Sequence, residues 1–144
     1  MEWLDTLGNV NFWAVLGAVL STFVVGSVWY AEAVFGKKWM KLAKLSKKEV
    51  ENKEKVIRAM VHSTVTSIVS ATVLVTLMAA TGTEGAANGA LFGAILGFGF
   101  GMASLAMHDA FERRDTMITH INGLHDIVST SVMGAVIGGI GVLA

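Results

Sequence analysis

Four stretches of the chain stay apolar for long enough to cross a hydrocarbon layer as helices, and most polar residues fall in the segments between them. A crossing helix needs about 20 mostly apolar residues, because lipid offers no partner to a free peptide group. The first stretch, about 12–30, has no charge, and the second, about 59–81, follows Arg58. The third covers about 85–107; the fourth, about 124–143, has His125 and Asp126 at its start and no other charge. This pattern predicts an all-α fold, one transmembrane domain over 1–144 built as an integral membrane four-helix bundle. Loops are expected at about 31–58 and 108–123, with a short connection at 82–84.

Charge gives the bundle a direction. Lys37, Lys38, Lys41, Lys44, Lys47, Lys48, Lys53, Lys55 and Arg58 precede the second span and Arg113 and Arg114 precede the fourth, which accounts for all 11 basic residues. With four crossings they lie on one side, which the positive-inside tendency makes cytoplasmic, leaving both the N and C termini outside. A multi-pass protein of the cytoplasmic membrane is expected. Glu2 and Asp5 stand where a secretory leader would be basic, so the first apolar segment is expected to remain in the mature protein. Trp13, Trp29, Tyr30 and Trp39 lie near span ends, where aromatic rings favour the headgroup layer.

The long loop carries order of its own. Ser46-Lys47-Lys48-Glu49 reads as a capping box, and Glu49 with Lys53, Glu51 with Lys55 and Glu54 with Arg58 fall at i,i+4. A cytoplasmic helical extension of about three turns is therefore expected before the second span. Residues 34–45 set Val34, Phe35, Trp39, Leu42 and Leu45 against Lys37, Lys38, Lys41 and Lys44, a pattern suited to anionic lipid headgroups. A solvated basic loop is the plainer reading.

Small residues predict close packing. Gly85, Gly89, Gly93, Gly97 and Gly101 recur every four positions, and Gly134 and Gly138 repeat the device in the last span. Such a stripe lets another helix backbone approach closely, either within the bundle or in a homo-oligomer joined as a glycine zipper. On the second span Ser63, Thr66, Ser67 and Ser70 offer hydroxyls that bond across helices, bond back to their own helix, or line a polar path.

Candidate chemistry collects at one depth. Counting back from the outer ends puts His62, His108, His125 and Asp126 near the inner boundary, with Glu32, Arg58, Asp109 and the loop residue His120 in the same layer. Ionisable groups at membrane depth mark a functional site by default. Imidazole with carboxylate suits a divalent metal, an axial haem ligand or a proton relay. The bland reading leaves these groups to water and lipid phosphate. No cofactor is predicted outright, because His120 and His125 are five apart and neither belongs to an H-E-x-x-H motif. A phosphate loop and a G-x-S-x-G elbow are also missing, so an enzyme is not expected. Composition adds limits: 53% hydrophobic residues, 15% charged and zero net charge disfavour nucleic acid as a partner, and without cysteine there is no thiolate chemistry. Without proline no kink is obligatory.

Trp29-Tyr30 followed by Phe35-Gly36-Lys37-Lys38-Trp39-Met40-Lys41-Leu42 resembles the W-Y…F-G-K-x-W-x-K-L signature of domain-of-unknown-function family 1761. Phe111-Glu112-Arg113-Arg114, Ile121-Asn122-Gly123 and Val132-Met133-Gly134-Ala135-Val136 are similar to its last loop and span. A proline often follows the W-Y pair in that family, whereas Ala31-Glu32-Ala33 stands here. The resemblance implies a small four-helix membrane protein and no established activity. Three classes of function then remain. A structural or accessory membrane protein predicts a dry bundle; a proton, cation or small-solute conduit predicts a path along Ser63, Thr66, Ser67 and Ser70 toward Asp126; a haem-, metal- or lipid-binding protein predicts a ligand at the histidine layer.

Overall fold

A computed structural model describes residues 8–143. Among them the regular structure is helical, and four helices are long and apolar enough to cross a membrane. Helix α1 (Phe12–Trp29) begins at Asn11, whose side-chain oxygen accepts the free amides of Trp13 and Ala14. After α1 the chain turns through a π-helical segment (Glu32–Gly36) into α2 (Lys37–Leu42) and α3 (Lys47–Val50). Helix α4 (Lys53–Thr81) follows and ends at Gly82, whose φ of 65° allows the Thr83 amide to cap the Met78 carbonyl at 2.8 Å. Helix α5 (Ala86–Phe111) contains a second π-helical segment (Gly97–Met102), and α6 (Thr116–Ile140) closes the bundle. Asn11 donates its amide to the Val142 carbonyl at 3.1 Å, tying the two ends of the described chain together.

Two expectations about the connections change. The capping box at Ser46 and Glu49 is present, but the helix it starts is short, and Asn52 caps a separate start for α4. The expected helical extension before the second span is therefore broken at Glu51–Asn52. Glu49 with Lys53 and Glu51 with Lys55 no longer share one helix, and Lys47 instead pairs with Glu51 at 3.9 Å and Glu32 at 3.8 Å. The amide of Ser46, then its hydroxyl, holds the exposed Glu49 carboxyl below its ordinary value. The loop expected at 108–123 reduces to 112–115, because α5 runs on to Phe111 and Asp115 caps α6 through the Met117 amide at 2.8 Å. Hydropathy marks where a helix tolerates lipid, whereas capping residues decide where it starts.

The glycine stripe is occupied within the chain. A Cβ at Gly89 would lie 2.8 Å from the carbonyl carbon of Gly134, and one at Gly134 2.8 Å from that of Gly89. The next turn places Gly93 against Thr130, and Gly138 meets Gly85, which is the N-cap of α5 with φ 82°. Only glycine allows backbones this close. Of the two partners expected for the stripe, the α5–α6 contact within the chain is the one present, and self-association through this groove would require α6 to leave it.

The apolar core sits at one end. Ala14 and Ala18 of α1, Ala71, Leu74, Val75 and Met78 of α4, and Met133 and Ile137 of α6 are buried together. Toward the basic end α4 separates from its neighbours: no residue from Lys53 to Ser70 is buried. That divergence opens the site.

Candidate functional site

Between α4 and the body formed by α1, α5 and α6 lies an open cleft of about 1100 Å³. Its closed end is lined by Leu74, Leu77 and Met133, and most of its wall is apolar. Hydroxyl groups enter from three helices: Thr22 and Ser27 of α1, Ser63, Thr66, Ser67 and Ser70 of α4, and Ser129 and Thr130 of α6. Thr22 Oγ1 and Ser67 Oγ bridge α1 and α4 at 3.1 Å.

His125 and Asp126 lie on the α6 wall of this cleft. Because α6 starts at Thr116, Asp126 stands ten residues into the helix, about 15 Å along its axis at ~1.5 Å per residue. It is nearer the middle of α6 than the expected boundary layer. His125 Nδ1 and Asp126 Oδ1 are 3.2 Å apart, and the Asp126 side chain is 44% exposed while that of His125 is 20% exposed. His125 Nε2 is buried with no hydrogen-bond partner among the described residues. It faces Gly26, where an added Cβ would lie 3.7 Å away.

The residues that carry the family resemblance hold this wall in place. The Trp29 Nε1–H donates to the Ile121 carbonyl at 3.0 Å, and the Tyr30 hydroxyl donates to Asn122 Oδ1 at 3.0 Å. Phe35 packs on Trp29 with ring centroids 4.8 Å apart, and Trp39 meets Tyr30 edge-on at 5.4 Å. Gly36 is needed because a Cβ there would lie 2.9 Å from the carbonyl carbon of Ala31. Gly123 accommodates Met102, whose Cγ would lie 2.7 Å from an added Cβ. The two rings at the end of α1 also enclose His125, with centroid distances of 6.1 Å from Trp29 and 5.1 Å from Tyr30. Trp29 and Tyr30, expected at the headgroup layer, thus bond to α6 and pack on His125.

The expected polar layer divides into separate places. Glu32 is exposed and pairs with Lys37 at 3.9 Å and Lys47 at 3.8 Å. Arg58 and His62 lie on the exposed part of α4, His62 Nδ1 meeting the Arg58 carbonyl at 2.9 Å. His108 is exposed on α5, and exposed His120 contacts the Thr116 carbonyl of its own helix. Asp109 is buried, accepts the Thr119 hydroxyl at 2.7 Å and lies 3.7 Å from Arg114 Nε, locking the α5–α6 turn. Among the described residues no three His, Asp or Glu side chains come together as a metal site. Only His125 and Asp126 of the eight candidates line the cleft.

Several lining residues escaped the sequence reading, although a signal existed. Asp126, Ser129, Thr130 and Met133 follow i, i+3, i+4 and i+7 on α6, and Thr22, Gly26 and Tyr30 follow i, i+4 and i+8 on α1. These spacings put each set on one helix face. A polar stripe in an otherwise apolar helix was therefore legible on both.

The fold and cleft define the class: an all-helical protein with four helices suited to crossing a membrane and a mostly apolar cleft between them that carries hydroxyls and Asp126. The family model described as "Protein of unknown function (DUF1761)" matches residues 13–138, and the chain belongs to that family. No protein of curated function and no solved structure matches the chain.

Proposed function

We propose that this protein is a membrane-spanning carrier or binding protein for a small solute, with the cleft as its binding site. The observation that carries the reading is the convergence of hydroxyls from α1, α4 and α6 on one cleft that also holds Asp126. A concave, mostly apolar site with a few converging polar groups is the usual form of a small-molecule site. A π-helical segment in α5 borders the same cleft through Gly97, Phe100 and Gly101, and such distortions often accompany functional sites.

The positive-inside tendency of the 11 basic residues supports an orientation in the cytoplasmic membrane with the wide end of the cleft on the cytoplasmic side and both termini outside. Lys37, Lys38 and Lys41 on and around α2 then meet anionic lipid headgroups. An accessory role, with every polar group paired inside a dry bundle, suits Asp109 and Thr119 but not the half-open Asp126 carboxylate. The glycine groove of α5 is filled by α6, so copies of the chain would meet through another surface.

Native mass spectrometry of the full chain in mild detergent tests the reading. Wild type is expected to retain a small non-protein mass that Ser70→Phe, a substitution into the cleft from exposed α4, displaces. A bare chain in both forms, or a mass retained equally by both, contradicts it.

A further inference from the structure

Resting on that binding reading, we infer that the cleft takes a monovalent organic cation: an ammonium or similarly charged head on an apolar body. The charge of the lining argues for this. No lysine or arginine is among the lining residues, and Asp126 is their one carboxylate. Asp126 Oδ1 faces His125 Nδ1, whereas Oδ2 accepts no hydrogen bond from the described residues. A carboxylate between membrane-crossing helices is costly without a partner of opposite charge, and attraction to a cation strengthens as water is excluded. An anion would meet that carboxylate with no lysine or arginine in the lining to offset it and His125 as the one base nearby, and a neutral solute would leave Oδ2 without a partner of opposite charge.

The surroundings fit an organic cation better than a bare metal ion. Metal binding needs several hard or borderline ligands, and no group of three forms among the described residues. The cleft, at about 1100 Å³, is far larger than an ion and comparable with sites for drug-sized molecules. Phe23, Tyr30 and Phe100 contribute aromatic walls, and aromatic rings attract cations that have shed water. Ser129 and Thr130, one turn along α6 from Asp126, supply oxygen acceptors for ammonium N–H groups.

The distorted part of α5 keeps the carboxylate accessible. A Cβ at Gly101 would lie 3.4 Å from Asp126 Cβ and 3.9 Å from Oδ2, so glycine leaves the approach to that oxygen uncovered. The apolar walls take the body of the ligand, and Asp126 takes its charge.

Equilibrium dialysis of the purified full chain in nonionic detergent, with tetraphenylphosphonium and its anionic counterpart tetraphenylborate, tests the inference. Saturable binding of the phosphonium and none of the borate is expected. Asp126→Asn should weaken phosphonium binding about tenfold or more, the equivalent of ~1.4 kcal/mol, and Asp126→Glu should largely retain it. Retention by the glutamate variant separates loss of charge from loss of fold. Equal binding of both ions, unchanged in Asp126→Asn and weakened for both by Ser70→Phe, overturns the cation preference while leaving the cleft as a binding site. Failure of wild type to bind either ion saturably also overturns it, and loss of the retained mass is then what decides against the binding reading itself.

Discussion

Gly134→Val should destabilise the protein by about 3 kcal/mol, the upper part of the range for overpacking, because the atoms it meets cannot step aside. The added Cβ alone would fall within 2.8 Å of the Gly89 carbonyl carbon, and it would lie 3.4 Å from the Gly93 amide nitrogen. Both belong to the α5 backbone. Relief requires α5 and α6 to move apart, which opens the contact at Gly93, Gly97 and Gly138 as well. Gly99→Ala is the control: a Cβ at Gly99 meets nothing within 4 Å, so its stability should stay close to wild type. Thermal and denaturant unfolding in detergent, followed by circular dichroism, gives both numbers. If Gly134→Val left the unfolding of one chain unchanged and only dissociated an oligomer, the glycine groove would belong between copies.

Thr119→Val should cost about 1.5–3 kcal/mol, the range for losing a hydrogen bond to a charged group inside a folded protein. Asp109 is 4% exposed and Thr119 7%, and the hydroxyl donates to Asp109 Oδ2 at 2.7 Å. Valine keeps the shape and removes the donor. The carboxylate then keeps Arg114 at 3.7 Å, on the partly exposed side of the turn, as its remaining charged partner. The double variant Asp109→Leu, Thr119→Val should lose less than the sum of the two single changes, because removing both polar partners leaves no buried charge stranded. A double-mutant cycle by denaturant unfolding measures the difference; simple additivity would show that the turn is not held by this pair.

The four apolar helices were legible from sequence because lipid imposes one strong demand, a long run of apolar residues with an internally bonded backbone. The glycine spacing likewise announced a close helix approach, and the α5–α6 seam has that character. Its partner was not legible, since an every-fourth glycine states how near a backbone can come and not whose backbone it is. The polar residues were read as one layer because depth was counted from span ends. In three dimensions helix rotation separates them: His120 and Asp126 share α6, yet one is exposed beside Thr116 and the other lines the cleft.

That Ser63, Thr66, Ser67 and Ser70 share one face of α4 was legible from their spacing, and all four line the cleft that holds Asp126. The cleft they line depends on a less visible fact. Helix α4 is packed through Ala71, Leu74, Val75 and Met78 at one end and lacks buried residues from Lys53 to Ser70 at the other. Small and large apolar residues look alike to hydropathy, but their placement decides where two helices meet and where they part.

Single-cysteine accessibility along α4 in native membranes tests the central claim most directly, and the cysteine-free sequence makes each introduced thiol the only one. Ser63→Cys, Ser67→Cys and Ser70→Cys face the cleft, whereas Val65→Cys and Ile68→Cys point away from it on the same helix. A small, positively charged, water-soluble thiol reagent applied from the basic side should modify the first three and spare the other two. Inertness at all five positions would mean a dry bundle, and equal reaction at all five a helix outside the bilayer. Either result contradicts a solute cleft between membrane-crossing helices.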